Sequence, residues 1–230
     1  MIAVYWDFDG TLAKHAFPVW SACALWALRE AAPSTAVMLE QIRPLMQTGF
    51  PWHEWNEDHT AHVGPAWWAH MERHFARAYR TLGVDDQTAL RAAKDVRAWI
   101  LRPENYPLYE DAPGTLAALR LAGCRQTLLS NNYPELPETA KALGLTDWLD
   151  GTVVSGLAGY DKPRRELFEQ AMALYPEADA HIMIGDNPVA DVEGARAAGM
   201  QTVLVHRGYH PAADACFDTL SDIIPWILSL

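Results

Sequence analysis

The chain has few cysteines and few basic residues, and each shortage excludes a class of protein. Its three cysteines, Cys23, Cys124 and Cys216, lie far apart in 230 residues with no C-x-x-C spacing. This set indicates neither a disulfide framework nor a zinc ribbon, and it is typical of the reducing cytoplasm, where we expect the protein. Eighteen lysines and arginines oppose 29 acids, giving a net charge of −11. Without a basic block, such a chain repels nucleic acid and anionic lipid, so we expect neither as a partner.

Long hydrophobic runs are also absent. No uninterrupted apolar stretch approaches the length of a membrane span, about 20 residues. The beginning, MIAVYWDFDG, has acids by position 7 and no basic region before an apolar stretch. We therefore expect a chain without a membrane span or a targeting leader. Hydrophobic residues are nonetheless plentiful, at 50% of the chain with ten tryptophans, so we expect a packed globule with a sizeable core.

Short apolar segments alternate with helix-like segments over most of the chain. The first, residues 2–6, stops at the polar cluster DFDGT, and similar segments end at Ser130, Ser155, Gly185 and Val205. The stretches between them, such as APGTLAALRLAG and KPRRELFEQAMALY, have helical composition. This alternation predicts an α/β fold in which helices flank a parallel sheet, with the residues that follow the strands at one edge of that sheet.

Residues 14–103 break the alternation. They are rich in alanine and tryptophan, helix-like in composition, and contain no convincing strand. We predict a helical insertion there, while residues 1–13 and 104–230 form the α/β core. Pro18, Pro103 and Pro107 stiffen the two crossings between these parts, a pattern that is typical of a hinge.

Two aspartates follow the first predicted strand. Asp7 and Asp9 stand two residues apart, so the alternation of a strand places both carboxylates on one side and Phe8 on the other. Gly10 lets the backbone turn tightly, so that its amide and the amide of Thr11 approach an anion. An acidic turn that only caps a helix explains the same residues, and this motif alone leaves both interpretations open.

Two further segments contain groups that bind anions. In LLSNN, Ser130 and Asn131 end a predicted strand, where a hydroxyl and backbone amides bind phosphate oxygens, although both residues are also ordinary helix caps. Lys162 precedes Pro163, a residue suited to the first position of a helix. Because a cation is unfavourable at a helix N-terminus, the position favours a bound anion nearby over a surface lysine.

A second pair of acids follows the strand HIMIG. Asp186 comes directly after that strand, Asn187 and Pro188 suit the start of a helix, and Asp191 falls in its first turn. The helix dipole favours Asp191 there without any function. Burial of Asp186 near Asp7 would be costly without a cation, so these acids predict a metal ion at the sheet edge.

The order of DFDGTL, LLSNN, Lys162 and GDNPVAD resembles the four motifs of the haloacid dehalogenase-like (HAD) hydrolase superfamily. The resemblance implies a Rossmann-like core and, from the insertion after the first motif, an all-α cap domain over the active site. It implies that Asp7 is a nucleophile that forms an aspartyl-phosphate, and that Asp9 is the general acid and base. It further implies a Mg2+ cofactor held by Asp7, Asp186 and the backbone carbonyl of Asp9, with support from Asp191.

The same resemblance assigns the phosphoryl group to a set of polar residues. Ser130 and Lys162 clamp its oxygens, and Gly10, Thr11 and Asn131 are the further expected phosphate ligands. The implied activity is Mg2+-dependent hydrolysis of a small phosphorylated metabolite.

Other activities of the same superfamily stay open. Dehalogenases expel a halide, which needs no proton, and their motif lacks the second aspartate, so Asp9 favours phosphate esters. A phosphomutase needs a cap group that returns the phosphoryl group to the substrate, and His15 is the nearby candidate. A catalytically idle protein that binds a ligand through its cap is a further alternative.

The insertion contains an aromatic and histidine-rich segment that has two interpretations. Four tryptophans and five histidines lie between residues 52 and 74. They form either a wall that holds an aromatic or apolar leaving group or the packing between the cap helices. The pairs His70 with His74 and His59 with His62 have the spacing of metal ligands, but such pairs are frequent on solvated helix faces.

Two surface features concern partners. Arg164 and Arg165 meet either a substrate carboxylate or the nearby Glu166 and Glu169, and surface ion pairs are the simpler expectation. The C-terminal IIPWILSL forms either a last core helix or an apolar patch for a homodimer. The core helix is the preferred interpretation, and the sequence leaves the oligomeric state open.

Overall fold

A parallel β-sheet is the centre of the computed structural model, which describes residues 1–230. Its strands are in the order β3-β2-β1-β4-β5-β6, and every neighbouring pair is parallel. The strands are β1 (Ile2–Trp6), β2 (Arg125–Ser130), β3 (Gly151–Val154), β4 (Ala180–Gly185), β5 (Gln201–Val205) and β6 (Ala215–Phe217). The α/β prediction is confirmed, and so are five of the strands.

Ten α-helices accompany the sheet. In chain order they are α1 (Val19–Ala31), α2 (Leu39–Ile42), α3 (Pro65–Thr81), α4 (Asp86–Ile100), α5 (Ala112–Leu121), α6 (Leu136–Ala142), α7 (Ser155–Ala158), α8 (Arg165–Met172), α9 (Gly194–Ala197) and α10 (Ile223–Ile227). Residues 14–103, called the cap segment below, contain helices and no strand. The division of the chain into two domains at residues 13 and 104 stays a prediction. No helix is both long enough and apolar enough to cross a bilayer.

The central position of β1 explains its continuous apolar sequence. Val4 and Trp6 pack into the larger core cluster on one face of the sheet, and Ala3 and Tyr5 pack into a second cluster on the other face. All four side chains are fully buried. A strand that is covered by helices on both faces has no solvated side, so it needs no alternation of polar residues.

The long helices of the cap segment have clear sequence signals. Asp85 caps α4 by accepting a hydrogen bond from the Thr88 amide at 3.0 Å, as acidic N-caps do. Helix α3 begins at Pro65, whose missing N–H is tolerated at that position. Trp67 and Phe75 on its inner face are buried, and the hydroxyl of Tyr79 donates to the carbonyl of Ala24 in α1 at 2.7 Å. The Tyr79 hydrogen bond joins α3 to α1, and α4 packs against both helices.

Two parts of the C-terminal region extend the sequence prediction. The sequence did not indicate β6, because its apolar run is only the three residues ACF, which are half-buried at the sheet edge. Helix α10 buries Ile223 and Ile227 completely, which agrees with the core-helix interpretation of IIPWILSL.

The segment around Lys162 differs from the prediction. Pro163 does not open a helix, since α8 begins at Arg165 and Lys162 and Pro163 belong to the preceding turn. Lys162 is also not a surface residue, because it is only 2% exposed. The prediction that Lys162 lies at a helix N-terminus is therefore wrong, and contacts within the cleft hold its ammonium group.

Candidate active site

The polar residues that follow β1, β2 and β4 meet in one cleft at the carboxyl edge of the sheet. The residues Asp7, Ser130 and Asp186 stand at or directly after the ends of these three neighbouring strands. They line a cleft of about 590 Å³, together with Asp9 and Lys162. Ligands bind at the carboxyl ends of the strands in open parallel sheets, so this cleft is the candidate active site.

Asp7 is held at the centre of the cleft through one of its two oxygens. Its amide donates to the Ile184 carbonyl at 2.9 Å, which continues the pairing of β1 with β4. Its Oδ1 accepts hydrogen bonds from Ser130 Oγ and from Lys162 Nζ, both at 2.9 Å. Its Oδ2 accepts no hydrogen bond from the protein. The carboxylate is thus fixed in orientation and keeps one oxygen free for chemistry.

Lys162 uses all three of its ammonium protons. Besides Asp7 Oδ1, Nζ donates to the carbonyl of Leu129 at 2.9 Å and to Asp191 Oδ1 at 2.6 Å. Burial by itself would lower the pKa of Lys162, but the carboxylates of Asp191 and Asp7 outweigh it and raise that pKa above its ordinary value. The side chain is therefore a fixed positive charge inside the cleft.

Asn131 holds the main chain of Lys162. Its Nδ2 donates to the carbonyl of Lys162 at 2.8 Å, and its Oδ1 accepts from the amide of the same residue at 2.6 Å. The Asn131 side chain is therefore engaged with the protein, and its expected part in phosphate binding stays a prediction. No pattern in the sequence indicates this contact between Asn131 and the main chain of Lys162.

Asp9 lies beside Asp7 but has different partners. Asn132, which the sequence analysis did not single out, donates from Nδ2 to Asp9 Oδ2 at 2.7 Å. Burial, followed by the charge of Asp7, raises the pKa of Asp9 to about 6. Phe8 between them is fully buried and packs on Tyr106 with ring centroids 5.5 Å apart. The two aspartates thus face the cleft while Phe8 faces the core, as the strand alternation predicts.

Gly10 and Thr11 lie in a tight turn whose amides are occupied. The Gly10 amide donates to the carbonyl oxygen of Ala13 at 2.7 Å, and the Thr11 amide donates to the carbonyl oxygen of Phe8 at 3.3 Å. The Thr11 hydroxyl is fully buried without a hydrogen-bond partner. Gly10 has a φ of 80°, and a Cβ there would lie 2.5 Å from Asp186 Oδ2, so only glycine fits. The expected phosphate contacts of Gly10 and Thr11 stay a prediction.

Asp186 is paired with an arginine that the sequence analysis missed. Arg207, two residues after the end of β5, donates from Nε at 3.0 Å and from Nη2 at 2.7 Å to the Oδ2 atom of Asp186. Burial and the charge of Asp7 raise the pKa of Asp186, although Arg207 and then His15 lower it. No motif marks Arg207. The signal available in the sequence was its position after a strand, at the same sheet edge as the acids.

Asp191 reaches the cleft through an unexpected helix geometry. Asn187 caps the segment as predicted, by accepting from the amides of Val189 and Ala190 at 3.0 Å. The segment Pro188–Glu193 is a π-helix and not the α-helix that the sequence predicts; only α9 that follows is α-helical. Such wide turns are frequent at functional sites. Asp191 is 1% exposed, and a Cβ on Gly185 would lie 2.1 Å from its Oδ2, so Gly185 makes room for the carboxylate.

The acids of the cleft fit a divalent cation with oxygen ligands. One oxygen atom from each of Asp7, Asp186 and Asp191 lies within 4.8 Å of the others, and all three residues are buried. The donors are hard carboxylate oxygens, which Mg2+ prefers. The Asp9 carboxylate is outside this triad and is engaged with Asn132. Buried carboxylates in this number need positive charge beyond Lys162 and Arg207, and a divalent cation would supply it.

The tryptophans of the cap segment divide between the two interpretations. Trp67 and Trp68 are buried between helices, with ring centroids 4.8 Å apart. Trp52 and Trp55 line the cleft instead. Trp52 is half-buried and stacks on Phe50 with ring centroids 4.7 Å apart, and Trp55 is 42% exposed. The pair Trp67 and Trp68 therefore packs the cap segment, and the pair Trp52 and Trp55 faces the space above the acids.

The remaining polar residues of interest lie outside the acidic site. No group of three or more histidine, cysteine or acidic side chains is close enough to hold a metal ion apart from the aspartate triad, so neither histidine pair has a third ligand of these types. Arg165 pairs with Glu169 at 2.6 Å, and Arg164 pairs with Glu166. The expectation of surface ion pairs for these two arginines is met.

A family model described as haloacid dehalogenase-like hydrolase matches residues 2–199, which include every acid of the cleft. The chain is a haloacid dehalogenase-like hydrolase. The resemblance based on four short motifs is therefore confirmed at the level of the family.

Curated relatives of this HAD-like hydrolase include enzymes with phosphatase names. The phosphoserine phosphatase of Thermus thermophilus is 37% identical over 144 residues, which are 61% of this chain and 56% of that enzyme. The haloacid dehalogenase-like hydrolase domain-containing protein 3 of Bos taurus is 28% identical over 223 residues, which cover 94% of this chain and 85% of the relative.

Solved structures show the same fold over nearly the whole chain. The HAD hydrolase YfnB of Bacillus subtilis, bound to magnesium, has a TM-score of 0.75 at 19% identity and covers 99% of this chain and 98% of its own. The 2-haloacid dehalogenase of Pseudomonas syringae has a TM-score of 0.69 at 24% identity, with 100% and 99% covered. At these identities the likeness concerns the fold.

Proposed function

We propose that this HAD-like hydrolase is a Mg2+-dependent phosphatase of small phosphate monoesters that acts through an aspartyl-phosphate on Asp7. The observation that carries the proposal is the position of Asp9, a second carboxyl group at the same cleft, two residues from the proposed nucleophile and held by Asn132. An alkoxide leaving group needs a proton, and Asp9 is the acid placed to give it.

The first step begins at the free oxygen of Asp7. Oδ1 is fixed by Ser130 and Lys162, which leaves Oδ2 without a protein hydrogen bond. A carboxylate oxygen of Asp7 forms a bond to phosphorus while the bond from phosphorus to the ester oxygen breaks. Asp9 gives its proton to that oxygen, and the alcohol leaves. The products are the alcohol, an aspartyl-phosphate and an ionised Asp9.

The second step returns the enzyme to its first state. Asp9, now a carboxylate, takes a proton from a water molecule as the water oxygen bonds to phosphorus. The bond between phosphorus and the Asp7 oxygen breaks, which releases inorganic phosphate. Lys162 holds positive charge beside the phosphoryl oxygens in both steps, and Ser130 supplies a hydroxyl donor. Gly10, Thr11 and Asn131 would contribute by shaping the loops that surround this group.

The acidic triad is the proposed location of Mg2+. Asp7, Asp186 and Asp191 would hold it. When bound, the ion neutralises the carboxylates and the phosphate dianion, which would otherwise repel each other. The support for this assignment is the number of buried acids and the hardness of their oxygens.

A dehalogenase is the second candidate function, since the fold also matches dehalogenases. A halide leaves without taking up a proton, so a dehalogenase would not need Asp9 as a general acid. A phosphomutase would need a cap group that holds the product in place. His15 lines the cleft, and its Nε2 is 3.9 Å from Asp186 Oδ2, beside the acids. Phosphate hydrolysis gives a role to Asp9 as well as to Asp7, Ser130 and Lys162, and is therefore preferred.

The test is a phosphate-release assay over sugar phosphates, nucleotides, phosphoglycolate and phosphoamino acids, with Mg2+ and with a chelator. We expect release by the wild-type protein with Mg2+, none with the chelator and none by Asp7→Asn. Chloride release from 2-chloropropionate is measured in parallel. Chloride release without phosphate release would favour the dehalogenase, and phosphate release that persists in Asp7→Asn would refute the covalent mechanism.

A further inference from the structure

The two sides of the cleft differ in the sign of their charged groups. The core side provides the four aspartates at positions 7, 9, 186 and 191. None of the lining residues from the cap segment is an aspartate or a glutamate; its charged or chargeable lining residues are Arg43, His15 and His53. Glu54 lies between two lining residues in sequence but does not itself line the cleft. A ligand therefore meets carboxylates only at the phosphoryl end.

Arg43 is the fixed cation of the cleft that no acid neutralises. Lys162 pairs with Asp7 and Asp191, and Arg207 pairs with Asp186. Arg43, at the start of the 3-10 helix Arg43–Met46, forms no ion pair and no side-chain hydrogen bond in the protein. Its planar guanidinium has five donors and matches a carboxylate or a phosphate group. It is open to an anion of the ligand.

The surface beside Arg43 is apolar and aromatic. Met46, on the same short helix, is 7% exposed and lines the cleft. Phe17, Trp52 and Trp55 line it as well. Flat aromatic side chains of this kind favour a flat apolar partner, and they exclude water from neighbouring charges.

We propose that the substrate is a phosphate monoester whose leaving group is aromatic or otherwise flat and apolar, and that this group carries a carboxylate or another anion bound by Arg43. The proposal rests on the phosphatase function above. It excludes leaving groups with an ammonium group, since the cap side offers no carboxylate to pair with a cation and would place it beside Arg43. Phosphoserine, the substrate named for the Thermus relative, carries an ammonium group beside its carboxylate and has no flat apolar part, so it is expected to be poor here.

Three aryl phosphates that differ only in the group at the para position test the proposal. They are 4-carboxyphenyl phosphate, 4-methylphenyl phosphate and 4-(aminomethyl)phenyl phosphate, which present an anion, a neutral group and a cation at one position. We expect kcat/KM in the wild-type protein to fall in that order. O-phosphoserine is assayed beside them and is expected to be the poorest of the four.

The variant Arg43→Gln separates the charge effect from the different reactivities of the aryl groups. We expect it to reduce kcat/KM for the carboxyphenyl ester about tenfold, mainly through KM, because a hydrogen-bonded charge is lost. The methylphenyl ester should change less than about twofold. Arg73→Gln is the matched control: Arg73 is also exposed and without an ion pair in the cap segment, but it lies outside the cleft. It should change neither ester.

The outcomes separate this inference from the function on which it rests. Equal loss for the carboxyphenyl and methylphenyl esters in Arg43→Gln, or faster turnover of the aminomethyl ester than of the carboxyphenyl ester by the wild-type protein, would overturn the assignment of Arg43 while leaving the phosphatase intact. Faster turnover of phosphoserine than of the aryl esters would overturn the flat apolar leaving group. Phosphate release from the sugar phosphates or nucleotides but from none of these esters would overturn this inference alone, and no release from either set would overturn both. An unchanged thermal midpoint of Arg43→Gln shows that the comparison concerns folded protein.

Discussion

Arg207 donates two hydrogen bonds to one carboxylate oxygen of Asp186, at 3.0 and 2.7 Å. The residue before it, His206, is the one non-glycine residue with a positive φ, 62°. Its imidazole stacks on Tyr109, with ring centroids 3.9 Å apart. Its Nδ1 atom lies 2.9 Å from the carbonyl oxygen of Asp218, within hydrogen-bond distance. This left-handed backbone conformation is unfavourable for a residue with a side chain, and the surrounding contacts must offset its free-energy cost. These contacts set the direction in which Arg207 leaves β5, toward the acids.

The Arg207→Ala substitution should lower the stability of the metal-free protein. Asp186 is 5% exposed, and the variant leaves it beside Asp7 with less positive charge. Since the Arg207 side chain is half exposed, we expect a loss of about 1 kcal/mol, or about 2–4 °C in Tm. Mg2+ would restore the missing charge, so the rise of Tm on its addition should be larger in the variant.

Thermal denaturation with a chelator and with Mg2+ measures this effect. Arg196→Ala is the control, because its ion pair with Asp214 is long, 4.0 Å, and exposed. It should leave the Mg2+ response unchanged. A Mg2+ response that is smaller in Arg207→Ala than in the wild-type protein would contradict the prediction and would mean that Arg207 positions Asp186 for the metal.

Lys162 should be required for stability as well as for activity. Its ammonium group lies 2.9 Å from Asp7 and 2.6 Å from Asp191, and Lys162→Met leaves both buried carboxylates without that partner. Breaking a buried pair in this way costs about 3–5 kcal/mol. Urea denaturation without metal should measure that loss, and phosphate release should be abolished.

A double variant distinguishes the two roles of Lys162. In Lys162→Met with Asp191→Asn, one of the unpaired charges is removed, so we expect part of the stability to return. Activity should not return, because the positive charge beside Asp7 is still missing. Recovery of activity in the double variant would show that Lys162 acts only through the fold.

Gly159 should be sensitive to substitution because the cap segment approaches it closely. It has a φ of 79°, and a Cβ there would lie 2.6 Å from the Cα atom of Thr60. The amide of His59 donates to its carbonyl at 3.1 Å, which ties the cap segment to the loop before Lys162. Gly159→Ala should therefore cost about 1–2 kcal/mol for the backbone and a further 1–3 kcal/mol for the displaced segment.

Gly144 is the matched control for that substitution. Its φ is 75°, and a Cβ there would meet no atom within 4 Å. Gly144→Ala should show only the backbone cost of about 1–2 kcal/mol. Urea denaturation compares the two variants, and limited proteolysis of residues 54–64 shows whether the segment is released. Equal losses of stability would argue against a tight contact at Gly159.

His74 should make the protein less stable as the pH falls. Burial, and then the charge of Arg77, lower its pKa from 6.5 to about 4 in the folded protein. The unfolded chain therefore takes up this proton first, and the contribution of neutral His74 is complete above pH 6.5 and is lost between 6.5 and about 4. The expected slope is at most about 1.4 kcal/mol per pH unit, about 3 kcal/mol in total.

The measurement compares wild-type protein with His74→Gln by urea denaturation at several pH values. Other groups titrate in the same range, so the difference between the two proteins is the relevant quantity. The variant should lose less stability than the wild type between pH 6.5 and 4. Parallel curves would mean that folded His74 takes up its proton as readily as the unfolded chain does.

The sequence was informative where a local pattern decides the structure. A continuous apolar run such as residues 2–6 can form a buried parallel strand with few alternatives, and the acids that follow such runs are then at one sheet edge. For this reason the sequence predicts that Asp7, Ser130 and Asp186 lie close together at that edge. Three-residue β6 and the turn at Pro163 lack such a pattern, and both were missed or misplaced.

The sequence by itself thus determined the α/β class, the strand order along the chain and the acids of the cleft, because periodicity and strand ends are properties of neighbouring residues. The tertiary structure alone decided the pairing of Arg207 with Asp186, the burial of Lys162 among three acceptors, and the π-helix that turns Asp191 inward. It also decided which tryptophans pack and which face the cleft. Those features depend on contacts between residues far apart in the chain, and no local pattern contains them.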